Sequence, residues 1–106
     1  MALSRTEVEA MVSRYIARVR ERIPVEAAFV YGSYAGGTPH EYSDVDVAVI
    51  SPSFGPSLHK ALSLLSRLRL PDAILVEALP FTSEEYHTLP RGSFLREVLR
   101  HGRRVA

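Results

Sequence analysis

Apolar residues recur along this chain in two rhythms. Val8, Met11, Val12, Tyr15, Ile16 and Val19 return at intervals of three and four, which places them on one face of a helix that Pro24 closes. Ser4-Arg5-Thr6-Glu7, just ahead of them, has the hydroxyl-to-acid spacing of a capping box. Phe29-Val30-Tyr31 and Val47-Ala48-Val49-Ile50 are instead short continuous apolar runs, and they predict buried strands over about 26–31 and 44–50. Residues 52–56 form a loop, after which Leu58, Ala61, Leu62, Leu65 and Leu68 make a second amphipathic helix. A third strand follows Pro71, from Ile74 to Leu79. Thr82-Ser83-Glu84-Glu85 repeats the capping-box spacing, and Ser93 is placed to cap a last helix carrying Phe94, Leu95, Val98 and Leu99, which Gly102 can end. Helices and strands in alternation predict an α/β sheet with helices on one side.

Length and charge narrow the partners. A chain of 106 residues is expected to form one compact domain, residues 1–106, with no room for a second core. Net charge is +1, from 13 basic against 12 acidic residues, so no global field draws nucleic acid non-specifically. Arg14, Arg18, Arg20 and Arg22 then read as a solvated or salt-bridged helix face. Lys60 is the only lysine, and an arginine-dominated cation set favours bidentate pairing with carboxylate or phosphate. With no cysteine there is neither a disulfide nor a thiolate metal site. Residues 1–9 are too charged for a signal peptide, and no apolar run reaches membrane-spanning length. A cytoplasmic protein without membrane contact is expected. His40, His59, His87 and His101 are scattered and suit surface or capping roles, His101 in the last helical turn matching the helix dipole.

The candidate chemistry lies between the first two strands. Gly32-Ser33 is followed ten residues later by Asp44-Val45-Asp46. Alternate residues of a strand point the same way, so Asp44 and Asp46 project together into one cleft and Val45 and Val47 turn away. Two carboxylates facing one cleft repel each other unless a cation sits between them, and hard Mg²⁺ suits such oxygen ligands together with substrate phosphates. Gly32 lets the backbone come close to a phosphate, while the Ser33 hydroxyl and nearby amides can hold terminal phosphates. Turn formers at Gly36-Gly37-Thr38-Pro39 carry the chain across to the next strand. Singly, a Gly-Ser is an ordinary turn and an Asp-x-Asp an ordinary solvated strand edge. Their conjunction, with Ser43 directly before Asp44 and apolar strands on both sides, points to a nucleotide site.

The stretch from Val30 to Ser51 resembles the Gly-Ser…Asp-x-Asp signature of the nucleotidyltransferase fold. The short chain resembles a minimal nucleotidyltransferase (MNT) of the DNA polymerase beta-like superfamily, the MNT half of MNT/HEPN pairs. That resemblance implies a small mixed sheet and Mg²⁺-dependent transfer of a nucleoside monophosphate, AMP from ATP, to a hydroxyl acceptor. It implies that Asp44 and Asp46 hold one Mg²⁺, that Asp46 and Glu77 hold a second, and that Gly32-Ser33 anchors the leaving β,γ-phosphates. Glu77 takes the third place because it lies inside the apolar run Ile74-Leu75-Val76-Glu77-Ala78-Leu79, where an acid costs desolvation unless something compensates it. Asp72, just after Pro71, is the alternative and reads more simply as a strand-entry turn residue. The chain departs from the family where many members carry Arg or Lys shortly after the Gly-Ser: here stand Tyr34 and Gly36, so phosphate binding is expected to rest on backbone amides and metal. The family resemblance also implies a partner, a HEPN-type helical protein or a second copy of the chain, with nucleic acid entering only as an acceptor. Two other classes stay open at this point: a catalytically silent module of the same fold that docks a helical partner, and an unrelated phosphate-binding α/β protein using Asp44 as a nucleophile.

Overall fold

The computed structural model describes residues 3–32, 44–69 and 75–106. It opens with α1, Arg5–Arg20, whose capping box forms as the spacing requires: the Glu7 amide donates to Ser4 Oγ at 3.1 Å and the Ser4 amide to Glu7 Oε1 at 2.9 Å. Strands β1, Ala27–Tyr31, and β2, Val45–Ser51, pair antiparallel. Helix α2, Leu58–Arg67, capped by Ser57, is the crossover that lets β3, Val76–Thr82, lie parallel to β2. Thr82 then caps the short α3, Ser83–Thr88, and Ser93 caps α4, Phe94–His101. The box at Thr82 is only half made. Its amide arm is present, Glu85 to Thr82 Oγ1 at 3.0 Å, but the Glu85 carboxylate accepts from the Ser93 hydroxyl and so ties α3 to the start of α4.

The sheet order is β3-β2-β1-β4, where β4, Arg103–Arg104, is an antiparallel strand that the polar sequence did not announce. It exists because Gly102 lets the chain leave α4 tight against the Val98 and Val30 carbonyls, where a Cβ would clash. The tail continues the ladder, with Val105 donating to the Ala28 carbonyl at 2.8 Å and Ala28 to that of Ala106 at 3.1 Å.

Two cores divide the alternation of β1 and β2. Ala28, Val30, Val45, Val47 and Val49 pack on one side beneath α1 and α2, together with Val8, Val12, Tyr15, Ile16 and Leu65. The buried Tyr15 hydroxyl donates to the Leu65 carbonyl at 2.6 Å, locking the two helices together, and burial pushes its pKa above the ordinary tyrosine range. Ala27, Phe29, Ala48 and Ile50 face the other way and meet Leu95 and Val98 of α4, with Tyr86 and Leu89 around them. The mixed α/β sheet is as expected, and the one-sided helical layer holds for the two longer helices. The short C-terminal helices pack on the opposite face, because Leu95 and Val98 need an apolar surface of their own and the first face is already covered.

Candidate active site

Register places the acidic residues. Asp46 is the second residue of β2, opposite Tyr31 on one side and Glu77 on the other. Partners in register point to the same side of a sheet, so Tyr31, Asp46 and Glu77 form a row across the face that carries Phe29 and Ile50. Asp44 lies one step ahead of β2 with the same parity and is exposed. Val45 and Val47, between and beyond the two aspartates, are fully buried on the opposite face. The strand therefore splits as its alternation predicts.

The row is electrostatically uncomfortable. Partial burial raises the Asp46 pKa above its ordinary value, and the Asp44 and Glu77 carboxylates raise it further. The Tyr31 phenol is pushed up to about 12, first by burial, then by Asp46 and Glu77. Two carboxylates thus bear on Asp46 from either side, and a cation bound beside it would relieve the repulsion. Among the described residues no three histidine, cysteine or acidic side chains close into a metal cage.

Gly32 follows Tyr31 with φ +74°, a backbone shape that side chains rarely adopt, and a Cβ there would clash with the Asp46 carboxylate. The glycine is required twice over: it makes the turn, and it leaves the aspartate its space. Ser33 lies outside the described residues, as do the spacer at 36–39, His40, Ser43, Tyr34 and Asp72.

Glu77 is well exposed on the edge strand β3, its side chain 58% accessible. It faces Arg69, whose guanidinium stands 3.7 Å from its carboxylate and donates to the Val76 carbonyl at 3.1 Å. Arg69 carried no signal in the sequence, since it joins Glu77 only through the return of the chain from α2 to β3. Tyr31 was likewise legible only as the last apolar residue of a strand. Of the histidines, His87 pairs with Glu26, while His59 and His101 are exposed. No helix among the described residues is long and apolar enough to cross a membrane.

Comparison with known proteins gives the family and the fold. A family model described as a nucleotidyltransferase domain matches residues 12–103. A relative from Methanocaldococcus jannaschii, provisionally named a protein adenylyltransferase, is 28% identical over 96 residues, spanning 91% of this chain and 87% of its own. Among solved structures, one of a toxin–antitoxin with AMP-PNP superposes with a TM-score of 0.59 at 25% identity, covering 92% of this chain and 72% of that one. A provisional nucleotidyltransferase of Sulfolobus solfataricus has the same TM-score at 17% identity, with 82% and 83% covered, and shares the fold. So does a mutant form of the toxin–antitoxin MntA–HpeT, at a TM-score of 0.56 and 21% identity, with 89% and 71% covered.

Proposed function

The chain belongs to the nucleotidyltransferase domain family and is a nucleotidyltransferase, and from that premise we propose that it moves AMP from ATP to a hydroxyl acceptor with Mg²⁺, acting in the cytoplasm as one domain of residues 1–106. The observation that carries this reading is Asp46 held in register between Tyr31 and Glu77, with Gly32 kept bare beside its carboxylate.

In this reading Asp44 and Asp46 would hold one Mg²⁺, and Asp46 and Glu77 would hold a second. Bound there, the ions supply charge neutralisation and a more acidic acceptor hydroxyl. The chain's own contribution is position. Gly32-Ser33 brings backbone amides and a hydroxyl to the β,γ-phosphates, and β2 and β3 hold the carboxylates in line. The acceptor oxygen bonds to the α-phosphorus as the bridge to the β-phosphate breaks; pyrophosphate leaves, and the hydroxyl proton passes to the site's carboxylates or to water. Glu77 is preferred to Asp72 as the third acid because it stands across from Asp46. Arg69 would then be the counter-charge that Glu77 keeps within the chain itself.

The acceptor we assign is a hydroxyl on a partner protein. The support is the protein adenylyltransferase name of the Methanocaldococcus relative and the toxin–antitoxin pairs among the structural neighbours. The partner is a HEPN-type helical protein, for which this chain serves as antitoxin or catalytic subunit. Among the described residues, Leu58, Leu62 and Leu79 are large apolar side chains left exposed for such a contact, whereas Leu65 and Leu95 are spent on the cores. The experiment is to incubate the chain with radiolabelled ATP, Mg²⁺ and the proteins that co-purify with it. Label on one partner, lost with Asp46→Asn, is expected; pyrophosphate release equal in both forms would overturn the assignment.

A further inference from the structure

Beside the Gly32 turn lies a pocket of about 440 Å³ lined by Tyr31, Gly32, Phe94, Glu97, Val98 and His101. It shares a wall with the acidic row, since Tyr31 is registered opposite Asp46 and Gly32 abuts the Asp46 carboxylate. Its walls are aromatic and aliphatic. The Tyr31 and Phe94 rings meet edge to face, with centroids 5.8 Å apart and planes at 76°. Glu97 and His101 add polar groups to the lining and face each other at 3.8 Å.

Phe94 is not placed there by the core. Leu95 and Val98, one and four positions on, are buried against Phe29 and Ile50, while Phe94 stays 52% exposed at the first turn of α4. Its backbone is nonetheless firmly held. The Ser93 cap accepts from the Leu95 amide at 3.2 Å and donates to Glu85, and Arg96 donates to the Leu89 carbonyl at 2.8 Å. A large aromatic on a rigid mount, turned toward a carboxylate centre and not toward the interior, is suited to stack a flat ligand.

We propose that this pocket receives the base of the donor nucleotide, stacked on Phe94 with its polar edge toward Glu97 and His101, so that the phosphates pass over Gly32 to the carboxylates. The proposal rests on the nucleotidyl-transfer reading of the acidic row. A nucleobase matches the lining better than an aliphatic side chain of a partner protein would, because it offers a flat face to Phe94 and hydrogen-bonding groups to the two polar side chains at once.

Two measurements test it. The chain has no tryptophan, so Phe94→Trp introduces a single indole in the pocket. With Mg²⁺ present, ATP should quench its emission and inorganic tripolyphosphate should not. By calorimetry, Phe94→Ala should weaken ATP about tenfold, as loss of one base–aromatic stack does, while tripolyphosphate binds as to wild type. An exposed position makes both variants tolerable to the fold, which thermal melting checks. Unchanged ATP affinity in Phe94→Ala places the base elsewhere and overturns the proposal, even if a partner protein then proves to bind the pocket. Equal weakening of both ligands also overturns it, since Phe94 would then support the phosphate turn. If wild type binds neither ligand, the donor-site reading itself fails and the pocket assignment falls with it; binding of tripolyphosphate without any gain for ATP sinks the pocket alone.

Discussion

The two faces of β2 serve opposite ends. Val45, Val47 and Val49 are sealed beneath α1 and α2, whereas Asp46, Ala48 and Ile50, interleaved with them, run from an open acidic end to an apolar patch under α4. One strand thus holds the fold with its odd residues and presents chemistry with the first of its even ones. Each valine removed from water contributes to stability, by roughly 1.5–3 kcal/mol for full burial. Asp46 does the opposite, because desolvation and the neighbouring acids oppose its charge. The lesson is that substitutions one residue apart should separate activity from stability almost cleanly.

Asp46→Asn tests the chemical face and should show the largest effect. The amide keeps the shape but removes the charge that Mg²⁺ needs, so transfer should fall by about a thousandfold or more, the scale of losing a central electrostatic contact in a reaction site. The melting temperature should stay level or rise, since one of several mutually repelling acids is gone. Substantial residual label transfer in this variant would break the division at its strongest point.

Gly32→Val should damage both properties together. A branched side chain must adopt φ near +74° and meet the Asp46 carboxylate, at a stability cost of about 1–3 kcal/mol, with loss of ATP binding measured by calorimetry. Normal ATP affinity in the folded variant would show that the nucleotide binds away from this turn.

Val47→Ala probes the other face. Deleting two methyls from a fully buried site should lower unfolding free energy by about 2 kcal/mol in chemical denaturation, with kcat/KM of the folded protein unchanged. A large fall in kcat/KM would mean that the sealed face sets the position of the carboxylates as well as supporting them.

How much of this contrast was readable beforehand follows from the range of the interactions. Alternation along β2 is local, so the opposed directions of Asp46 and Val47 were legible from four letters, as were the Ser4, Thr82 and Ser93 caps. Cross-strand neighbours are not local: nothing in the sequence puts Tyr31, Asp46 and Glu77 in one row, and Glu77 was singled out only because an acid is unusual inside an apolar run. Arg69 and Phe94 reach the site through the crossover and the C-terminal turn, by paths with no sequence periodicity. The pair Arg103–Arg104 carries no strand signal and becomes a strand through Gly102 and the open edge of β1.

The smallest effect sets two carboxylates against each other. At the end of β1 away from Asp46, the buried Ser83 hydroxyl beside Glu26 and then the His87 ring hold the Glu26 carboxyl below its ordinary range. A depressed folded pKa means that this carboxylate stabilises the protein above the unfolded value, and that the contribution disappears as pH falls through the folded one. Asp46 has the opposite sign: its raised pKa makes the charged form unfavourable in the fold, so acidification relieves strain there. Melting curves taken from about pH 6 down to about pH 3 should therefore diverge between variants, across the range where carboxylates titrate. Glu26→Gln should flatten the acid decline relative to wild type, and Asp46→Asn should steepen it, because the residue that gains stability on protonation has been removed. Acid limbs that move in the same direction in both variants would show that the two ends of the sheet do not oppose each other in this way.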